Sequence, residues 1–165
     1  MRNPLIQLGF DIPFDRIEAA HVRPAVDALL ASAREAVDAI AASEAPRTYD
    51  NTLGALEDAT EALELAMTTV GHLESVATTD ELREAYNEAV PKVSAFWSEL
   101  AMNDGLYAAV RAFAETSEAA SLDRTRKRFL EKTLDDFRRH GAELGPEDKA
   151  RLQAMDVELT QLTTK

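Results

Sequence analysis

The chain has 165 residues, 45% of them hydrophobic and 29% charged, with six glycines and six prolines. This balance excludes intrinsic disorder, collagen-like repeats and low-complexity sequence. The absence of cysteine excludes disulfides, thiolate catalysis and cysteine-ligated zinc. The 30 acidic residues against 18 basic ones leave a net charge of -12, which repels a phosphate backbone and argues against nucleic-acid binding.

No uninterrupted apolar run approaches the ~20 residues of a membrane span. The opening Met1-Arg2-Asn3-Pro4 lacks the apolar stretch of a secretory signal. These features predict a soluble, cytoplasmic protein with no membrane partner. Residues 1–14 are broken by Pro4, Gly9 and Pro13 yet carry Leu5, Ile6, Leu8, Phe10, Ile12 and Phe14. They are expected to form an irregular arm packed across a core, since a merely solvated tail rarely holds so many apolar residues.

Beyond the arm the apolar residues recur at steps of three and four. Val22, Val26, Leu29, Leu30, Ala33, Val37 and Ile40 predict a first helix starting near Arg23, with Pro24 in its first turn, and ending before Pro46. A second helix is expected from Asn51 or Thr52, after a turn at Tyr49-Asp50. Its seam of Leu56, Ala59, Leu63, Ala66, Val70, Leu73 and Ala77 suits an antiparallel neighbour. Thr78 and Glu81 occupy the reciprocal positions of a capping box, opening a third helix with Leu82, Tyr86, Ala89, Val93, Phe96, Trp97 and Leu100. Pro91 removes a backbone donor inside it and should bend it.

Asn103 and Asp104 stop that helix and cap a shorter one bearing Leu106, Val110 and Phe113. Residues 116–122 read as a loop, and Asp123 caps a fifth helix with Phe129, Leu130, Leu134 and Phe137. His140 lies in its last turn, and Gly141 supplies a left-handed stop. Pro146, Glu147 and Asp148 open a sixth helix with Leu152, Met155, Leu159 and Leu162. Its seam has no closing glycine, proline or asparagine before Lys165, so a longer parent polypeptide is expected. No strand-like alternation of useful length occurs. The fold class predicted is all-α: about six amphipathic helices in an antiparallel bundle behind an irregular arm, with residues 1–165 as a single helical domain.

Residues able to carry chemistry are scattered. His21, His72 and His140 share no helix at a ligand spacing, and no His-Glu-x-x-His motif is present. Glu18 and His21 stand three apart as in carboxylate-bridged metal bundles, but those need two such copies plus two further glutamates. A polar cap near a helix start is the simpler role for the pair. His72, beside the seam residues Val70 and Leu73, is expected at the edge of the buried stripe, satisfied by a hydrogen bond. Glu57, Glu61, Glu64, Glu81, Glu84 and Glu88 read as solvated helix faces.

Seven basic residues fall between Arg124 and Arg139; they are expected to complement acidic helices within the fold or to meet a neighbouring domain. Tyr86, Phe96, Trp97 and Tyr107 read as core. The residues by themselves specify no catalytic, cofactor-binding or metal-binding site. They leave open an independent helical interaction module.

Several blocks also carry a resemblance. Asn3-Pro4-Leu5 with residues 17–26 (Ile-Glu-Ala-Ala-His-Val-Arg-Pro-Ala-Val), residues 49–57 from Tyr49 to Glu57, Gly71-His72-Leu73-Glu74-Ser75-Val76, and residues 81–86 resemble the helical N-terminal portion of the thimet oligopeptidase family. Residues 137–141, Leu144 and Leu159-Thr160-Gln161-Leu162 extend it along nearly the whole chain. Gly71 and Glu74 depart from that family's usual Ser-His-Leu-Asn.

The resemblance implies a zinc metallopeptidase parent that cuts short peptides in a channel between two helical halves. In such a parent the His-Glu-x-x-His helix and its zinc belong to a C-terminal catalytic domain, the expected partner of this one. The chain itself is then expected to hold no cofactor, to be inactive alone, and to self-associate through helix faces that the catalytic half would cover.

Overall fold

The computed structural model of the chain describes residues 3–145, 147–152 and 154–155. The described residues contain no β-strand, so the all-α expectation holds. The arm has one 3-10 turn, Phe14–Arg16, and leads into α1 (Ala19–Ala42). A π turn, Asp50–Gly54, runs directly into α2 (Ala55–Ala77), followed by α3 (Asp80–Ala101) and α4 (Asp104–Ala114). A single turn, α5 (Ser117–Ala120), precedes α6 (Arg124–Arg139). Helix resumes over residues 147–152. Pro146 and the distal seam residues Leu159 and Leu162 lie outside the described residues.

Three helix starts differ from the sequence reading, and at each a side chain takes a terminal backbone N–H. α1 begins at Ala19 rather than near Arg23, because the Glu18 backbone N–H donates to His21 Nδ1 at 3.0 Å and opens the helix one turn earlier. Pro24 therefore sits inside α1. Helical backbone starts at Tyr49 rather than at Asn51. There the Thr48 N–H donates to Asn51 Oδ1 (2.9 Å) and the Asn51 N–H to Thr48 Oγ1 (3.2 Å), a reciprocal cap. The cap of α3 is Thr79 and not Thr78: its Oγ1 accepts from the Leu82 N–H at 3.2 Å. Part of the expected loop at 116–122 is α5, capped by Thr116.

Other caps stand where the sequence placed them. Asn103 Oδ1 accepts from the Leu106 N–H at 2.9 Å, and Asp123 Oδ1 accepts from the Thr125 and Arg126 N–H groups. The hydrogen bonds of Arg126 and Thr125 to this carboxylate hold it below the usual Asp range. α6 closes through Gly141 (φ +86°), whose N–H reaches Arg138 O (3.0 Å) while the Ala142 N–H reaches Phe137 O (2.9 Å). This is a Schellman ending.

Two apolar clusters build the core, and α1 runs through both. Its first half (Val22, Val26, Leu29, Leu30) packs with Leu63 and Val70 of α2, Val93 and Phe96 of α3, and Leu5 of the arm. Its second half (Val37, Ile40) packs with Leu53 of the π turn, Val110 and Phe113 of α4, and Leu130 and Phe137 of α6. Burying each such side chain contributes roughly 1.5–3 kcal/mol before chain entropy is counted. The α2 seam is buried at Leu56, Leu63, Ala66 and Val70, whereas Ala77 is exposed and Thr60 and Thr69 join the buried side. Thr60 and Thr69 return their hydroxyls to the Leu56 and Leu65 carbonyls, so neither is left unsatisfied.

Three ion pairs record how α1 and α3 align. Arg23 pairs with Glu88, Asp27 with Lys92 (2.5 Å) and Arg34 with Glu99 (2.8 Å), each across 65 residues of sequence. A constant offset means that α1 and α3 run parallel and in register, with α2 returning between them. Gly71 of α2 leaves room for the Tyr86 ring of α3, whose Oη would lie 3.4 Å from an added Cβ. Glu74 pairs with Arg83 at 3.3 Å. Gly71 and Glu74 thus both lie at the α2–α3 contact.

Candidate functional site

The sequence-level candidates for chemistry do not converge. His21 caps α1. His72 is exposed rather than set at the edge of the core, and its ring lies 5.7 Å from that of Phe14 in the arm. His140 closes α6, with Nδ1 2.7 Å from the Asp136 carbonyl oxygen. Glu57, Glu61, Glu64, Glu81, Glu84 and Glu88 are all exposed. Among the described residues no three His, Cys, Asp or Glu side chains are grouped so as to hold a metal ion.

The basic residues of α6 form ion pairs chiefly within their own helix: Arg126 with Asp123, Arg128 with Glu131, Arg138 with Asp135 and Arg139 with Asp136. Arg126 also lies 4.5 Å over the Tyr49 ring, a cation–π contact that ties α6 to the π turn. Expected pairing with the acidic helices is therefore replaced by local pairing.

What the fold does assemble is a cleft of about 410 Å³ between α6 on one side and α2 and α3 on the other. It opens at the junction of the two core clusters, where α3 stops at Ala101 and α6 packs on α4. α2 contributes Leu56, Glu57, Thr60 and Glu64; the end of α3 contributes Trp97, Leu100 and Ala101. α6 contributes Phe129, Thr133, Asp136, Phe137 and His140. The floor is apolar and aromatic, and the rim carries Glu57, Glu64 and Asp136.

Sequence reading assigned Trp97 to the core and counted Phe129 among the apolar members of its helix; both are half-buried, packed against the core clusters while lining the cleft. A signal for this existed in α6. Phe129 and Leu130 are adjacent and so point about 100° apart, which lets them face different neighbours. Leu130 is buried in the cluster with α4, Phe129 and Thr133 face the cleft, and the buried Phe137 borders both.

The His140 end of the cleft is braced from behind. The buried Tyr107 of α4 donates from Oη to Glu143 Oε1 at 2.5 Å, and Arg138 Nε stands 3.4 Å from the same oxygen. The Tyr107 hydrogen bond holds the Glu143 carboxyl below its ordinary range and pushes the Tyr107 phenol above its own. Lys149 pairs with Asp104 at the start of α4, fastening the helical stretch beyond the Gly141 turn.

Comparison with known proteins supplies the context. The chain matches the family model for the neurolysin/thimet oligopeptidase N-terminal domain over residues 26–149. It is 33% identical to the oligopeptidase A of Salmonella typhimurium over 98% of its length, and 33% identical to that of Escherichia coli over 98%. It is 30% identical over 99% of its length to the dipeptidyl carboxypeptidase of Salmonella typhimurium. These alignments cover 24%, 24% and 25% of the respective relatives, so the chain spans about a quarter of their length. No helix among the described residues is long and apolar enough to cross a membrane. Bundle, blocks and family model agree: the chain belongs to the neurolysin/thimet oligopeptidase N-terminal domain family.

Proposed function

We propose that residues 1–165 form a single, non-catalytic domain of a zinc metallo-oligopeptidase and make one wall of the channel through which short peptides reach the metal. The observation that carries this reading is the family match over residues 26–149 in a chain a quarter as long as its peptidase relatives. Two features of the chain support it. No His-Glu-x-x-His sequence is present, and the described residues group no metal ligands. On this reading catalysis in the parent falls to the remaining polypeptide, where a zinc ion would polarise the scissile carbonyl and activate water. A helical wall selects substrates by width, because a folded domain is far broader than an extended strand.

Purified chain is expected to hydrolyse no short peptide with or without added zinc. Turnover by the pure chain, abolished by a chelator, would refute the reading. Translating the gene past Lys165 is the complementary test: several hundred further codons with His-Glu-x-x-His support the peptidase parent. A stop codon there favours an independent interaction module instead.

A further inference from the structure

We propose that the cleft between α6, α2 and α3 is the seat of an amphipathic helix with basic flanks, contributed by the remainder of the parent polypeptide. The proposal rests on the reading of this chain as one domain of a longer peptidase. It adds the face that takes the partner and the chemistry that the partner must carry.

Shape is the first argument. Along α6 the cleft runs from Phe129 to His140, about 16 Å at the α-helical rise. Along α2 it runs from Leu56 to Glu64, about 12 Å. That is the span of two to three turns of a third helix laid between them. The lining residues stand at helical ridge spacings on both sides: Leu56, Thr60 and Glu64 on α2, and Phe129, Thr133 and Phe137 on α6. Ridges so spaced accept the ridges of a helix placed in the groove.

Small side chains at Thr60, Ala101 and Thr133 leave the space, and the half-buried Trp97 and Phe129 supply apolar surface at its floor. Such aromatic anchors in a groove characterise sites that receive an apolar helix face.

Charge is the second argument. Glu57 and Glu64 on the α2 rim form no ion pair among the described residues, and Asp136 on the α6 rim is paired only loosely, with Arg139 at 3.7 Å. Lysine or arginine beside the apolar stripe of the visiting helix would complement these carboxylates, whereas an acidic helix would be repelled. Length is the third. About three quarters of the relatives' polypeptide lies outside the aligned region, so a source for the occupant is at hand.

Trp97 is the only tryptophan in the chain, so its fluorescence reports on the cleft directly. The probe is a fifteen-residue leucine/lysine amphipathic helix, compared with its leucine/glutamate counterpart. Expected is a saturable shift of Trp97 emission to shorter wavelength with the lysine peptide alone. Binding should weaken as salt rises. It should fall about fivefold in the Glu57→Gln/Glu64→Gln double variant and vanish in Thr133→Phe, which fills the cleft while far-UV circular dichroism stays unchanged. No shift with either peptide, or an equal response to both, overturns the proposal. A shift that appears when the chain alone is concentrated assigns the cleft to a second copy and overturns it too. The same holds if removing residues 156–165 by itself exposes Trp97.

The chain lacks cysteine, so Thr133→Cys provides a single thiol for the source of the helix. In a product that carries the remaining polypeptide, this thiol should react with maleimide at least tenfold more slowly than in the 165-residue chain. Peptide hydrolysis by that product is read separately. Hydrolysis with an equally reactive thiol removes the docking proposal alone, and a protected thiol without hydrolysis removes the peptidase reading alone.

Discussion

Replacing Gly141 by alanine should unsettle the whole C-terminal end of the domain. Gly141 is at φ +86°, in the left-handed region where a Cβ crowds the following carbonyl, at a cost of about 1–2 kcal/mol for alanine. The added Cβ would also stand 2.8 Å from Leu144 Cδ1 and 2.9 Å from Leu152 Cδ2. Both neighbours are ends of flexible side chains, so they yield by leaving their rotamers, at about 0.5–1.5 kcal/mol. The expected loss is about 1.5–3.5 kcal/mol in urea unfolding followed by circular dichroism. At roughly 2–4 °C per kcal/mol for a chain of this size, the melting midpoint should fall by about 3–14 °C. Gly141→Asn should be milder, because asparagine visits the left-handed region more readily. Gly145 is the control: an added Cβ there meets nothing within 4 Å and its φ is not positive, so Gly145→Ala should be neutral. A Gly141→Ala loss below about 0.5 kcal/mol, the range of ordinary surface changes, would refute the argument.

Three further outcomes can be measured on the same chain. Tyr107→Phe should flatten stability at both pH extremes. The lowered Glu143 pKa contributes stability that is lost as pH falls through its folded value, and the raised Tyr107 pKa contributes stability that is lost as pH rises through its own; an unchanged acid limb in urea titrations would contradict this. Phe113→Ala removes a fully buried ring at the centre of the second cluster and should cost about 3–5 kcal/mol, read by chemical denaturation. A double-mutant cycle on Arg34 and Glu99, both substantially exposed, should give no more than about 1 kcal/mol and fade with added salt; a larger, salt-independent coupling would contradict it.

Self-association, expected from the sequence, has candidate surfaces in the structure. Phe10 is fully exposed, and Phe14, Val76 and Met155 are largely or partly so. Sedimentation over a concentration series measures whether they pair.

The long helices and their order, the Asn103 and Asp123 caps and the Gly141 stop are legible in the amino-acid sequence because each depends on neighbours within one or two turns. An apolar period of three and four, an Asn or Asp before it and a glycine after it act on the local backbone whatever the rest of the molecule does. The misplaced starts have a common physical reason. His21, Asn51 and Thr79 each compete with the backbone for a terminal N–H or accept one themselves, and the winning partner depends on rotamers that spacing does not specify.

The parallel register of α1 and α3, the 65-residue offset of their ion pairs and the cleft facing Trp97 and Phe129 belong to tertiary structure alone. Periodicity tells which face of a helix is apolar, but not whether another helix arrives to cover all of it. On α6 the chain's own α4 covers Leu130 and leaves the arc of Phe129 and Thr133 open, because where α3 ends and how far α6 stands from α2 follow from packing between elements distant in sequence.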